Sequence, residues 1–164
     1  MHAAEGPAWA LALEHSSFAD AMRSGVLLYP AVETTHILGF ACLLGAILVL
    51  DARLLGLGRG LSPALLARLA IPIAAVGLVV AASAGVLLFV TEAAAYVRNP
   101  AFLLKQSLIL VGLANIAIFH RLLMPTIDTW PIDRPPPRGA RVAAGVSAAV
   151  WLSVVICGRL IAYV

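Results

Sequence analysis

The chain has 164 residues, of which 62% are apolar and 12% are charged, and its formal net charge is +3. Its mean hydropathy of +1.01 is strongly positive, which excludes an ordinary soluble domain and predicts an integral membrane protein. The 11 Lys and Arg residues are spread along the chain and form no basic patch, so we predict no nucleic-acid partner. The length suits one domain with roughly four spans of about 20 residues each.

The N-terminal segment predicts a short helix on the membrane surface, over residues 8–23. Apolar Trp9 and Phe18 alternate there with charged Glu14 and Arg23, a composition typical of a helix that lies in the interface. The segment lacks the basic start and the small-residue cleavage site of a secretory signal, so we expect it to be retained.

Four long apolar segments follow, at about residues 26–50, 63–90, 101–124 and 142–164. Each is long enough to cross a hydrocarbon core of about 30 Å, and a helix satisfies its own backbone in lipid. The predicted fold is therefore all-α: an integral membrane four-helix bundle preceded by the surface helix. Residues 1–164 form a single transmembrane domain, and the lipid bilayer is its first partner.

Proline marks the connections and one helix interior. Pro72 is expected to kink the second span near its start, because proline lacks the backbone N–H. Asn99 and Pro100 predict a turn that restarts the chain into the third span. The proline-rich stretch 131–137 predicts a stiff loop before the fourth span.

The positions of Arg and Lys predict the orientation. Seven of the 11 basic residues lie on the side of the first and third connections, and four lie on the opposite side. Because basic residues near helix ends resist translocation, we expect both termini to be outside. In a bacterial inner membrane, outside is the periplasm.

Ionisable residues within the spans fall into two layers. In the first span Tyr29, Glu33 and His36 are spaced i, i+4 and i+7, so they share one helix face, which we expect to look into the bundle. Glu92, Tyr96, Lys105 and Arg159 complete this outer layer. The inner layer consists of Asp51, Arg53, Arg68, His120 and Arg121, with Asn115 about two turns deeper.

We therefore expect a small polar site centred on Glu33 and His36 that opens toward the periplasm. The site would bind a metal ion or haem, or relay protons. His36 is the expected ligand, Glu33 its hydrogen-bonding partner or proton acceptor, and the cations of Lys105 and Arg159 would keep Glu33 ionised. A plainer alternative is that Glu33 forms an ion pair with Lys105 or Arg159, while His36 only bonds a neighbouring helix.

Several short motifs resemble known membrane families. They are His36-Ile-Leu-Gly39, Asp51-Ala-Arg53-Leu-Leu-Gly56, Ser83-Ala-Gly85-Val-Leu, Lys105, and Asn115 followed by His120-Arg121. Together they are similar to the copper-resistance-D (CopD) type membrane domain, and to a group of small uncharacterised bacterial four-helix proteins. The resemblance implies a role in copper handling, or a relationship to the b-type cytochrome bundles. Copper and haem b are therefore the candidate cofactors.

Helix geometry limits how a haem could be held. At 1.5 Å per residue, His36 lies about 10 Å below the outer surface and His120 about 28 Å below it. Two axial ligands of one haem must share a depth, so these histidines cannot hold the same iron. A haem would need His36 from a second copy, or His15 folded over the outer mouth. The i, i+3 pair of Glu33 and His36 also matches half of a di-iron carboxylate site, but the sequence lacks the other halves that such a bundle needs.

A different class of function is also open: the protein would be a non-catalytic subunit of a larger membrane complex, or would form a homo-oligomer. Gly77, Ala81 and Gly85 recur every fourth residue, a spacing that lets another helix approach closely. The chain shows no nucleophile with a base at catalytic spacing, no phosphate loop and no Cys/His zinc pattern. We therefore do not expect an enzyme.

Overall fold

The computed structural model describes residues 6–164. These residues form α-helices and no strand occurs among them. A π-helical turn, Phe119–Leu123, and a 3-10 helix, Met124–Thr129, continue the chain beyond the sixth α-helix. The α-helices are α1 (Ala8–Glu14), α2 (Ser17–Ser24), α3 (Leu28–Leu54), α4 (Pro63–Thr91), α5 (Ala93–Tyr96), α6 (Pro100–Ile118) and α7 (Arg138–Leu160).

Four helical segments are long and apolar enough to cross a membrane: α3, α4, the stretch Pro100–Thr129, and α7. They confirm the prediction of an all-α membrane bundle, and the protein is a multi-pass membrane protein. The observed ends differ from the predicted spans mainly on the inner side, where α3 extends to Leu54 and α7 begins at Arg138. These additional turns contain the charged residues Asp51 and Arg53 in α3 and Arg138 and Arg141 in α7.

Proline positions explain the connections. Asn99 caps α6, since its Oδ1 accepts a hydrogen bond from the Phe102 amide at 3.1 Å, and Pro100 occupies the first turn, where no amide hydrogen is needed. Residues 131–137 lie outside any helix. In contrast, α4 continues through Pro72, which is exposed, so this proline interrupts neither the helix nor its packed face.

The N-terminal arm consists of two helices where the sequence predicts one. The break lies at His15 and Ser16, because the Ser16 hydroxyl caps α2 by accepting from the Ala19 amide at 3.2 Å. Arg23 then fastens the arm to the end of α4, donating to the Thr91 carbonyl at 2.8 Å. The arm thus packs against the end of the bundle where α4 finishes.

The long helices pack in the order α4, α3, α7, α6. The closest approach is between α3 and α4, where a Cβ atom on Gly77 would lie 2.6 Å from both the Gly39 carbonyl oxygen and the Leu43 nitrogen. Only small residues permit such contact between helix backbones. This close contact places His36, which lies one turn before Gly39, against α4 at Ala81 and Gly85.

Arg53 organises the inner side of the bundle. The side chain is 2% exposed, its Nε donates to the Leu61 carbonyl at 2.6 Å, and its Nη2 donates to the Ile132 carbonyl at 2.8 Å. One guanidinium therefore connects the end of α3 to the first connection and to the proline-rich loop. The sequence predicted only that Arg53 belongs to the inner layer.

Candidate functional site

A polar pocket of about 650 Å³ lies at the end of the bundle where α3 begins and α4 ends. Its wall contains side chains from α3, α5, the start of α6 and the end of α7. The structure thereby brings together most of the predicted outer layer, while His36 and Lys105 lie outside the lining. The charged and polar lining residues are Tyr29, Glu33, Glu92, Tyr96, Arg98, Asn99 and Arg159.

The imidazole of His36 is half-buried between α3 and α4. Its Nδ1 lies 2.7 Å from the Ala81 carbonyl oxygen. A carbonyl oxygen only accepts hydrogen bonds, so Nδ1 carries the hydrogen, and in the neutral ring Nε2 is left unprotonated. A Cβ atom on Gly85 would lie 3.0 Å from His36 Cε1, so the absence of a side chain there makes room for the ring.

Two charged groups act on His36 from different helices. Glu33 stands one turn before it on α3, and Lys105 approaches from α6; the charges of both reach the imidazole. The Lys105 ammonium lies toward α7, since a Cβ atom on Gly158 would be 3.6 Å from Nζ. His36 therefore has one acidic and one basic side chain near it, and the acidic one, Glu33, also lines the pocket.

Glu33 is exposed, and none of the ion pairs found within residues 6–164 includes it. The alternative in which Glu33 forms an ion pair with Lys105 or Arg159 is therefore not seen among the described residues. Arg159 instead donates from Nη2 to the Tyr163 hydroxyl at 2.6 Å, and its guanidinium lies 5.0 Å from the centre of that ring. Arg159 thus lines the same pocket as Glu33 while its guanidinium is held by its own helix end.

Two tyrosines form the wall next to the carboxylates. The hydroxyls of Tyr29 and Tyr96 are hydrogen-bonded to each other, and the charges of Glu33 and Glu92 reach both rings. Burial, followed by the neighbouring Tyr29 and then the charges of Glu92 and Glu33, raises the pKa of Tyr96 to about 12. The phenol is therefore neutral at physiological pH. Its ring stacks on Phe102, with centroids 5.3 Å apart, which fixes this wall.

The other candidate histidines lie elsewhere. His120 is exposed, its Nδ1 lies 3.0 Å from the Ile116 carbonyl oxygen, and it lines a separate inner cavity. His15 is exposed at the end of α1 and is not among the described groups that act on His36. Asn115 lines the inner cavity and donates to the Ala143 carbonyl at 3.0 Å, and Arg121 is exposed in the π-helical turn.

The residues of one chain do not fit a haem. The His36 ring packs against Ala81 and Gly85, at a close α3/α4 contact, and it does not line the outer pocket. His120 belongs to the inner cavity, so it cannot be the second axial ligand.

One chain supplies only part of the ligand set that a metal ion needs. Within residues 6–164, no three His, Cys, Asp or Glu side chains are grouped closely enough to hold a metal ion. His36 Nε2 and the Glu33 carboxylate are a nitrogen and an oxygen ligand type on neighbouring turns of one helix. One chain therefore offers at most a two-ligand half-site.

Sequence reasoning missed two features of this site. The first is the Ala81 carbonyl that orients His36, together with the space that Gly85 leaves for the ring. The only signal for it was the recurrence of Gly77, Ala81 and Gly85 at every fourth residue, which indicates close helix packing. The second is that Arg98 and Asn99 line the pocket. No pattern in the sequence distinguishes these two residues from an ordinary turn.

Comparison with known proteins gives a family and no activity. A family model described as a family of unknown function (DUF6644) matches residues 18–164. No curated protein and no solved structure matches the chain. The match agrees with the resemblance to an uncharacterised family and gives no support to the copper-resistance-D type. The chain belongs to DUF6644, a family of unknown function.

Proposed function

We propose that this protein resides in the bacterial inner membrane with both termini in the periplasm, and that a transition-metal ion binds beside its outer pocket, between Glu33, which lines the pocket, and His36 on the next turn of α3. His36 Nε2 and the Glu33 carboxylate are the ligands from the chain, and copper is the leading candidate metal. The distribution of basic residues along the sequence supports the orientation. The protein would act in metal handling and not as an enzyme.

One observation carries the proposal: the hydrogen bond between His36 Nδ1 and the Ala81 carbonyl. Histidines that bind metals usually donate their other ring N–H to a carbonyl or carboxylate, which fixes the tautomer and the ring orientation. The same bond leaves Nε2 as a lone-pair donor. A histidine that served only to join two helices would not need a carboxylate on the next turn.

The two-ligand half-site requires further ligands from outside the chain. Imidazole suits copper, zinc, iron and nickel, and each of these takes more than one protein ligand in a stable site. A second copy of the chain in the same orientation would supply another His36 and Glu33. The proposal therefore predicts one metal ion per two chains.

Loss of His36 is expected to weaken metal binding strongly. His36→Ala should weaken the affinity for Cu(I) or Zn(II) by about 100-fold or more, because a first ligand is lost where even indirect partners contribute 10- to 100-fold. Binding is measured by competition with a chromophoric chelator on purified protein, with metal content determined alongside. His120→Ala, at the inner cavity, is the matched control and should bind as the wild type does. Equal affinity in wild type and His36→Ala would overturn the proposal.

Lys105 provides an independent electrostatic test. Its charge reaches His36, so it should oppose a bound cation. Lys105→Met keeps the length of the side chain and removes the charge, and we expect roughly ten-fold tighter metal binding, equivalent to about 1.4 kcal/mol. Unchanged or weaker binding in this variant would argue that no cation occupies the site.

A second candidate function is a subunit of a larger membrane complex. In the most apolar window of the span Pro100–Thr129, only 11% of the residues are buried within the chain. The corresponding fractions are 33% for α3 and 44% for α7. A helix with so little contact in its own bundle leaves a wide face for a partner. Copurification of a stoichiometric partner in mild detergent would favour this role; a protein that purifies alone, and still binds metal through His36, would contradict it.

A further inference from the structure

A second cavity, of about 360 Å³, lies in the inner half of the bundle. All four long helices contribute to it, and its lining is mainly leucine, isoleucine and alanine. Ala75 on α4 and Ala117 on α6 line the cavity and are exposed, so the cavity reaches the surface between these two helices. That surface faces hydrocarbon in a membrane, since α4 and α6 do not pack together there as the other neighbouring helices do.

The polar groups of this cavity are mostly hydrogen-bond acceptors. Asp51 is 5% exposed, and its Oδ2 has no hydrogen-bond partner in the described part of the chain. His120 faces the Ile116 carbonyl through Nδ1, which leaves Nε2 as an acceptor. The buried Ser147 hydroxyl is hydrogen-bonded to the Asp51 carboxyl, so only the second carboxyl oxygen, Oδ2, is without a partner among the described groups.

An unpartnered carboxyl oxygen in an apolar interior is unfavourable unless something donates to it. The neighbouring polar side chains direct hydrogen bonds elsewhere. The Asn115 amide donates to the Ala143 carbonyl, and the Arg53 guanidinium donates to the carbonyls of Leu61 and Ile132. Two other buried donors, Arg53 Nη1 and Trp151 Nε1, also lack partners within residues 6–164, but neither residue lines the cavity. A molecule bound in the cavity is therefore the available donor for Asp51 Oδ2.

We propose that this cavity binds a membrane-dissolved amphiphile, with an apolar chain between α4 and α6 and a hydrogen-bond-donating head at Asp51. The volume lies within the range of small-molecule sites, and the lateral opening allows entry from the bilayer. A hydroxyl and an ammonium head share the required chemistry. An ether or an ester head lacks it. The site is separate from the outer pocket and does not depend on the metal proposal.

Three probes with the same chain test the head: dodecan-1-ol, dodecylamine and 1-methoxydodecane. Binding to the purified, delipidated full chain is measured by native mass spectrometry in detergent. We expect the alcohol, the amine or both to bind about ten-fold more tightly than the ether, and the better of the two identifies the head. Equal binding of all three probes would overturn the proposal and would indicate a cavity filled by any hydrocarbon chain.

Variants locate the site. Asp51→Asn keeps the size of the side chain and replaces one acceptor oxygen by a donor, so the preference for donor heads should fall to within about two-fold of the ether. Ala75→Phe fills the lateral opening and should abolish binding of all three probes. Ala82→Phe, at an exposed position of α4 that does not line the cavity, is the control and should bind as the wild type does. A donor preference that survives in Asp51→Asn, or binding that survives in Ala75→Phe, would contradict the proposal.

Discussion

Gly77→Leu is expected to separate α3 from α4 and to reduce the free energy of unfolding by about 3 kcal/mol or more. A Cβ atom at this position would already lie 2.6 Å from two backbone atoms of α3, the Gly39 oxygen and the Leu43 nitrogen. Backbone atoms of a helix cannot rotate away as a side chain can, so the whole helix has to shift. The effect is measured by unfolding in mixed micelles with increasing SDS.

The same change at Gly45 is the matched control. Gly45 is exposed on α3, and a Cβ atom there would meet nothing within 4 Å. Gly45→Leu should therefore alter the free energy of unfolding by less than about 0.5 kcal/mol, or increase it through the higher helix propensity of leucine. Equal destabilisation by both variants would show that the α3/α4 contact is not the close packing described above.

Arg53→Met is expected to reduce the free energy of unfolding by about 2–4 kcal/mol. The methionine keeps an apolar stem but removes the donors to the Leu61 and Ile132 carbonyls, which hold two inner connections to the end of α3. Both carbonyls would then need water or a new partner. Limited proteolysis should detect the consequence, because the proline-rich loop at 131–137 would no longer be held and should be cleaved sooner.

Arg59 serves as the control for this prediction. It lies in the same inner connection and is exposed. Arg59→Met removes the same charge, and we expect it to change the free energy of unfolding by no more than about 0.5 kcal/mol. If Arg59→Met and Arg53→Met were equally unstable, the loss would come from net charge at this membrane face and not from the two hydrogen bonds.

The fold could be predicted largely from hydropathy, because each span must be a helix that satisfies its own backbone in lipid. The turn at Asn99 and Pro100 was predictable for a similarly local reason, the presence of the proline. Helix ends were less predictable: α3 continues past Asp51, whose carboxyl is buried in the inner cavity, so a charged residue was a poor marker of the boundary. The break at Ser16 depends on one side-chain cap that competes with continuing the helix.

The site was predictable in part, because the i, i+4, i+7 spacing of Tyr29, Glu33 and His36 is a property of a single helix. The partners of these residues depend on the packing of different helices, which one sequence does not contain. Lys105 was thus one of two candidate ion-pair partners for Glu33 in the plainer alternative, whereas its ammonium lies toward Gly158 of α7. The carbonyl that orients His36 has no side-chain signature at all.

The state of the His36 ring is the most direct test of this account. Nitrogen-15 NMR of selectively labelled protein in lipid nanodiscs, at neutral pH, reports which ring nitrogen carries the hydrogen and whether either one binds a metal. The account predicts a hydrogen on Nδ1, an unprotonated Nε2, and a large shift of Nε2 alone on addition of Cu(I). A hydrogen on Nε2, or an Nε2 signal that Cu(I) leaves unchanged, would contradict it.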